Sequence, residues 1–399
     1  MNKAISLNLS IDNDWDKQKI VDEIYSIQVS GSDEILKSYL NLATLWGDQN
    51  DFSIIEQEMD KDFYTYLSDK LPLAREVILS DLPKDKKTNA LEVVAVSNRE
   101  EKLAKKLNVK LAYSQDFFIE LNRKDYLVNL AKKLEFDFPK SKILKLFQLD
   151  IKNLTEPVVL KILTSAGGRG VFIISSSNKE MVDFIKRQVL EVEAQLDVLV
   201  QEYIPVAKHF YTVAHTDNLE HDILGYEIEY DKSNNSKLHK KEKIISPLRQ
   251  EVAKKLANEL KNKGYNGYFG FDGFIDNGQK EYPVIDLNVR LDKSRIISRI
   301  AEKLKINQLY HEFRRERFSA FKISSFKEYW LDRLDELNKV SNKYSNQFEI
   351  IPILFSNFFS VKNDEEVVEI SFFTVLKSSR DDRYYAWLDE VYNWLGIKK

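Results

Sequence analysis

The stretch FGFDGFIDNGQKEYPVIDLNVR, residues 269–290, restricts what this chain can fold into more than any other. Two runs of alternating apolar and polar residues flank a turn signal at Asn277-Gly278, and alternation of period two sends successive side chains to opposite faces of a strand. In the second run Ile285, Leu287 and Val289 face a core, while Asp286, Asn288 and Arg290 share the other side. In the first run Asp272 lies opposite Phe271 and Ile275. A carboxylate, an amide and a guanidinium in a row on a rigid strand can hold a divalent cation and a transferring phosphate. A second carboxylate on a paired strand would make a chelating pair.

Register decides whether the two acids meet. A two-residue loop at Asn277-Gly278 pairs Asp276 with Gln279 and puts Asp272 and Asp286 on opposite faces. A five-residue loop, Asn277 to Glu281, sets them directly opposite each other, with Cβ atoms about 4.5–5.5 Å apart. A three-residue loop makes them diagonal neighbours, still within reach of one ion. Pro283 cannot donate to the ladder and argues for a bulged start to the second strand. An ordinary edge hairpin with solvated acids shows the same alternation.

The rest of the composition narrows the chemistry by exclusion. A chain of 399 residues is expected to form two or three domains. Its net charge of −3 arises from 60 basic and 63 acidic residues, so no global basic field points to nucleic acid or to an anionic membrane. There is no cysteine, which excludes disulfides, thiolate nucleophiles and thiolate metal sites. No segment approaches 18 apolar residues, and MNKAISLNLSIDND lacks the apolar core of a signal peptide, so a cytoplasmic chain is expected. HEFRRERF, residues 311–318, reads as a solvated helix face.

Along the chain, the first 80 or so residues read mainly as helix: IVDEIYSI, EILKSYLNLATLW and DFYTYLSDKL carry apolar residues three and four apart. Trp15 and Trp46 read as core residues. LEVVAVS, NREEKLAKKLN and VKLAYS follow the loop LPKDKKTN as strand, helix and strand, a small parallel α/β unit. NRKDYLVNLAKKLEFDFPKS reads as a helix opened by Asn122. PVVLKIL and VFIIS are strands joined by TSAGGRG. Lys161 in that aliphatic strand must meet an anion or leave the core, and Gly167, Gly168 and Gly170 allow backbone N–H groups to approach phosphate oxygens. No Gly-Lys-Ser/Thr follows, so this is not a Walker loop.

A helix over NKEMVDFIKRQVLEVEAQL leads to VLVQEYI, a strand running into an exposed connection that can offer backbone and side-chain groups to an adenine edge. DKSNNSKLHKKEK, residues 231–243, reads as a loop, and SPLRQEVAKKLANELKNKG as a helix stopped at Gly264. Beyond residue 320 the pattern is helix (FKEYWLDRLDELNKV), two strands around KNDE, and a last helix with Tyr384, Trp387, Leu388, Val391, Trp394 and Leu395 on one stripe. Lys293, Arg295 and Arg299 could pair with a substrate carboxylate or could form a solvated helix face.

In this order the motifs resemble the ATP-grasp superfamily: Lys124 opening a helix, VVLKILTSAGGRGVFII, VQEYI, then FDGFID followed by VIDLNVR, over roughly residues 120–300. The resemblance implies an α+β / α/β chain in which two α+β lobes clamp ATP. It implies an N-terminal pre-ATP-grasp domain over 1–120, an ATP-grasp domain over 121–320 and a small α+β extension over 321–399. Within the middle domain, 121–200 would clamp the nucleotide and 201–320 would carry the metal site. Carried over by position, Lys124 and Lys161 would contact the phosphates and the loop of Gly167, Gly168 and Gly170 would close over them. Gln201, Glu202, Tyr203 and Ile204 would face adenine, and His209 would lie near ribose or the terminal phosphate. Asp272, Asp286 and Asn288 would hold Mg2+, with Mn2+ as the alternative ion, and Arg290 would steady the transferred phosphate. The family usually has glutamate at the second acidic position and often at the first, and proline where this chain has Val289.

The N-terminal pattern, LEVVAVSNREEKLAKKLNVKLAYS followed by NRKD, is similar to the preceding domain of pheganomycin-type peptide ligases, although their Gly-Gly-Thr-Thr-type substrate loop is missing. The activity implied is an ATP-dependent carboxylate–amine ligase of the acid–amino acid or peptide type, working through an acyl phosphate on small-molecule carboxylates and amines. Two alternatives stand beside it: acyl transfer to a carrier or coenzyme thiol, and a catalytically silent nucleotide-binding subunit, for which the two shortened carboxylates speak.

Overall fold

The computed structural model describes residues 3–6, 41–55, 58–78, 90–150, 153–164, 170–175, 197–219, 223–230, 236–306, 311–319, 334–344, 348–360, 365–376 and 383–395. Trp15, IVDEIYSI, the loop LPKDKKTN, the helix expected over 178–196, and Gly167 and Gly168 lie outside these residues.

In chain order the N-terminal part contains β1 (Lys3–Ser6), α1 (Leu42–Trp46), β2 (Phe52–Ile55), α2 (Lys61–Ser68), β3 (Arg75–Ile78), β4 (Ala90–Val93) and α3 (Asn98–Leu107). The four strands form one parallel sheet in the order β3-β2-β1-β4. The described parts of EILKSYLNLATLW and DFYTYLSDKL hold α1 and α2 as expected, while KAIS, FSII and REVI are strands the sequence reading missed, buried or half-buried and too brief for alternation to register. VKLAYS is not a strand. Ser97 caps α3 in a reciprocal box with the fully buried Glu100. Trp46 is a core residue.

Next come α4 (Gln115–Asn122) and α5 (Lys124–Leu134), two helices where one was expected. Asn122 ends α4 and Arg123 is the junction, so Asn122 is not the helix opener. β5 (Ser141–Lys145), β6 (Val158–Ile162), β7 (Val171–Ile174) and β8 (Asp197–Glu202) form a second, antiparallel sheet in the order β5-β8-β6-β7. One of its faces carries Leu160, Ile162, Phe172, Ile174, Val198 and Val200 in a closed apolar cluster. Strand pairing puts Lys161, Leu199 and Gln201 on the other.

The third sheet is antiparallel and eight-stranded, in the order β13-β12-β9-β10-β11-β14-β16-β15. Its strands are β9 (Val206–His215), β10 (Leu224–Tyr230), β11 (Ser236–Lys241), β12 (Tyr268–Asp276), β13 (Glu281–Asn288), β14 (His311–Ser319), β15 (Phe348–Ser360) and β16 (Glu365–Leu376). Interleaved with them are α6 (Pro247–Asn262), α7 (Lys293–Lys303), α8 (Leu334–Lys343) and α9 (Tyr384–Leu395). Two sequence readings change here. HEFRRERF is β14, a strand whose Arg314 is buried against the Tyr392 hydroxyl at 2.7 Å. Part of the loop expected over 231–243 is β11. Because β16 joins β14 to β15, the segment beyond residue 320 continues the same sheet that carries β12 and β13.

The β12–β13 hairpin is closed by the three-residue loop Asn277-Gly278-Gln279: Asp276 N–H donates to Lys280 O at 3.0 Å, and Gln279 takes φ 66. Such a loop alone leaves the acids diagonal. A bulge corrects the register, because Phe274 opposes Tyr282 while Asp272 opposes Asp286. Gly273 therefore spans the same length as Pro283, Val284 and Ile285. A Cβ on Gly273 would stand 2.4 Å from the Phe210 ring and 2.6 Å from Tyr282 O, so only glycine lets the bulged strand approach. The bulge also breaks the strict alternation, since Val284 joins Leu287 in the core in place of Ile285.

Phe269, Phe271 and Leu287 pack with Val252, Leu256 and Leu260 of α6, which Ser246 caps and Gly264 terminates at φ +88. This packing holds the acid-bearing face in place from behind. Replacing Phe271 with alanine empties a fully buried site and should cost about 3–5 kcal/mol, measured as a fall in the urea midpoint at unchanged slope.

Candidate active site

Asp272 and Asp286 stand directly opposite each other on adjacent strands, and Asn288 Nδ2 points at Asp272 Oδ2 across 3.4 Å. Tyr211 of β9 continues the row on the far side of Asp272. His209 sits two residues along β9, paired with Phe274, and so on the same face of the sheet. Burial lowers its proton affinity.

Two lysines answer the acids. Lys124, 3% exposed at the first turn of α5, donates to Asp286 Oδ1 at 2.5 Å. Lys161 reaches from the second sheet to the third and donates to Ile285 O at 3.0 Å. That carbonyl belongs to the bulge, so the irregularity that aligns the acids also presents a backbone acceptor to the lysine. A lysine near a helix N-terminus opposes the helix dipole, and here the Asp286 carboxylate offsets it.

The electrostatics follow from this crowding. Burial pushes Asp272 up to about 8, the charge of Asp286 adding to the rise and Lys124 and Lys161 opposing it. Burial also pushes on Asp286, but Lys124, Lys161 and the Leu287 N–H outweigh it and hold that carboxyl below the usual range. Lys161 falls to about 8 through burial, Asp286 resisting and Lys124 adding to the drop.

A single amide links the cations to the strand. Asn122 Oδ1 accepts from Val289 N–H at 2.8 Å and from the Arg290 guanidinium at 3.2 Å, while its Nδ2 donates to Phe118 O at 2.8 Å and Val289 O at 3.3 Å. β13 ends at Asn288, so Arg290 belongs to the connection after the strand and not to its polar row. Lys124 N–H donates to Leu163 O at 2.9 Å, just past the end of β6. The segment 122–124 thus joins the end of the lysine strand to the end of the acid strand.

The residues expected at a nucleobase sit at the end of β8. Gln201 is buried, with Nε2 donating to Ser141 Oγ at 2.9 Å. The Glu202 carboxylate accepts from Lys140 N–H at 2.9 Å, and its backbone N–H donates to Lys140 O at 2.9 Å. Its side chain is therefore committed to the fold. Tyr203 is exposed and Ile204 half-buried in the connection to β9. Sequence reading missed the apolar surface beside Lys161: Val159 and Ile173 lie opposite each other on that face, and Ile173 is 52% exposed. Gly170, the described end of the glycine loop, has φ 65 and accepts from Ile162 N–H at 2.9 Å. Arg295 is buried against Glu302 and the Tyr268 hydroxyl, and Arg299 donates to Trp46 O, so both are engaged within the protein.

The donor set suits a hard divalent cation: two opposed carboxylates, one with its proton affinity raised by burial and by the other, and an amide oxygen within the same row. Among the described residues no group of three or more His, Cys, Asp or Glu side chains could complete a metal cage. A cation here would take its remaining oxygens from phosphate or water, the usual habit of magnesium.

No protein-family model and no curated protein matches this sequence. The fold is matched by solved structures. An ADP complex of N5-carboxyaminoimidazole ribonucleotide synthetase superposes with TM-score 0.53 at 11% identity, covering 99% of this chain and 96% of that one. This chain has the ATP-grasp fold. The corresponding synthetase from Staphylococcus aureus complexed with ADP gives TM-score 0.52 at 11% identity over 99% and 96% of the two chains. The L-amino acid ligase from Bacillus licheniformis gives 0.50 at 11% identity over the same shares.

The linkage of Asp272 has a definite sign. Its folded value lies above its unfolded one, so it stabilises the metal-free fold most at low pH and loses that contribution as pH rises from about 4 toward about 8. Asp272→Asn removes this slope. With chelator present, its melting temperature should rise relative to the parent between pH 5 and pH 8.5, and a constant difference across that range would contradict the assignment.

Proposed function

We propose that the chain is an ATP-dependent carboxylate–amine ligase, forming an amide or peptide bond through an acyl phosphate with release of ADP and phosphate. The observation that carries the reading is the convergence of Lys124 and Lys161 on one opposed pair of aspartates, Asp272 and Asp286. Two of the similar structures support it by their names, one a synthetase binding ADP and one an L-amino acid ligase.

In the reaction a substrate carboxylate oxygen attacks the terminal phosphorus of ATP. The bond to the bridging oxygen breaks, and ADP leaves with that electron pair. The amine nitrogen then attacks the acyl carbon, phosphate departs with the acyl C–O pair, and the nitrogen gives up its proton. Phosphoryl transfer of this kind needs alignment and charge neutralisation more than a protein nucleophile, which suits a chain without cysteine. Lys161 and Lys124 exchange their present acceptors, Ile285 O and Asp286, for phosphate oxygens. Arg290, held by Asn122, steadies the transferred group. Asp272, Asp286 and Asn288 would hold Mg2+, or Mn2+, which neutralises charge on the phosphates when bound.

The adenine would lie on the apolar surface of Val159 and Ile173, its edge toward the backbone at Tyr203 and Ile204, with Gln201 packed beneath and His209 on the ribose side. Gly167, Gly168 and Gly170 would cover the phosphates. The substrates are small carboxylates and amines, amino acids or peptides, in the cytoplasm. No described helix is long and apolar enough to cross a membrane.

The test is a phosphate-release screen over paired carboxylates and amines, with mass detection of the condensed product. Release that needs both partners is expected, and ATP binding with no release for any pair would overturn the reading. Asp286→Ala and Lys161→Ala should each lower release on the order of 100-fold or more while circular dichroism keeps the parent spectrum. Near-normal turnover in Asp286→Ala would remove the acid pair from the site.

A further inference from the structure

The amide of Asn122 is 8% exposed and makes four hydrogen bonds, two of them to Val289, one to Arg290 and one to Phe118 O. Its orientation is fixed by those partners, since exchanging oxygen and nitrogen would set donor against donor and acceptor against acceptor at all four. The bond to Phe118 O is local to α4 and uses one N–H only; the other three reach more than 160 residues along the chain. Their target is narrow. Val289 lies between Asn288 and Arg290, and Asn122 stands two residues before Lys124.

The end of β13 and the start of α5 also share the buried cluster of Val289, Leu127 and Leu130, but the Asn122 amide holds the backbone of Val289 itself, on both its N–H and its C=O. Leu291 N–H donates to Val94 O at 3.2 Å, beyond Arg290, and the Lys124–Asp286 pair joins the same two elements only by flexible side-chain charge. Lys124 N–H anchors the other side of the junction on Leu163 O at 2.9 Å. Losing the Asn122 amide would therefore leave Lys124 on its helix and Asn288 in its ladder, and loosen the connection at Val289 and Arg290 between them.

We propose that Asn122 is a positioning residue, which sets the Arg290 guanidinium at a fixed separation from Lys124 and thereby governs phosphoryl transfer without touching substrate. The proposal rests on the ligase reading for its kinetic arm and is independent of it for its structural arm. A displacement of about 1 Å in such a constellation costs up to roughly 100-fold in rate, so the loss should fall on kcat and spare nucleotide binding.

Three variants test it. Asn122→Ala should lower kcat for ATP-dependent phosphate release by about 10- to 100-fold and change the affinity for ADP, measured by calorimetry, by less than about 3-fold. Asn122→Asp keeps an oxygen acceptor for Val289 N–H and Arg290 but sets a second oxygen against Phe118 O and Val289 O, and should recover only part of the lost rate. In Asn122→Ala/Arg290→Ala the combined loss should fall well short of the product of the two single losses, because the first residue acts in large part through the second. Amide exchange supplies a readout that needs no reaction: in Asn122→Ala, peptides over 286–291 should exchange faster while those over 268–276 keep their protection. Multiplicative losses in the double variant, an unchanged kcat in Asn122→Ala, or exchange raised equally throughout would each overturn the proposal. If no variant and no parent protein turns over, the exchange result still decides the positioning claim, and only the ligase reading falls.

Discussion

Asp272 and Asp286 face each other in a desolvated row of an antiparallel sheet, and two like charges so placed repel unless cations or protons intervene. The structure meets this with Lys124 on one helix and Lys161 on another sheet, neither of which would be buried without the acids. Each partner thus makes the others tolerable. The N-terminal end of α5, the strand β6 of the second sheet and β13 meet where these charges balance.

The register that produces the opposition comes from two devices working together. A three-residue loop alone would leave the acids diagonal, and the bulge at Pro283 to Ile285 moves Asp286 into line while turning Ile285 O toward Lys161. Gly273 makes room for this from the opposite strand. The family's usual glutamates would reach one methylene further. Direct opposition of two shorter acids gives this chain a compact donor pair, which bears on the reading of it as a catalytically silent subunit: nothing in the geometry separates the acids.

The ATP-grasp fold and the chemistry proposed for it stand on different footing. The fold rests on whole-chain similarity to solved structures, whereas the ligase reading rests on the two lysines, the acid pair and Arg290. The surface proposed for adenine illustrates the difference. Glu202, which motif order sets against the base, is tied to Lys140, and the open apolar surface is instead formed by Val159 and Ile173.

The sequence by itself determined that residues 269–290 form a hairpin with Asp272 and Asp286 on strands, that Lys161 lies in an aliphatic strand before a glycine loop, and that the last helix buries Trp387. These are local properties of period and turn chemistry, and they do not depend on what packs against them. Only the tertiary structure decided the two-step register of β12 and β13, the strand identity of HEFRRERF, the bond of Glu202 to Lys140 and the hydrogen bonds of Asn122 at the junction. HEFRRERF, Glu202 and Asn122 each depend on a partner more than 40 residues away, and the register depends on the bulge that Gly273 admits beside Phe210 of β9. A long-range hydrogen bond or strand pairing leaves no period in the segment that makes it, so it exists only once distant pieces of chain have been brought together.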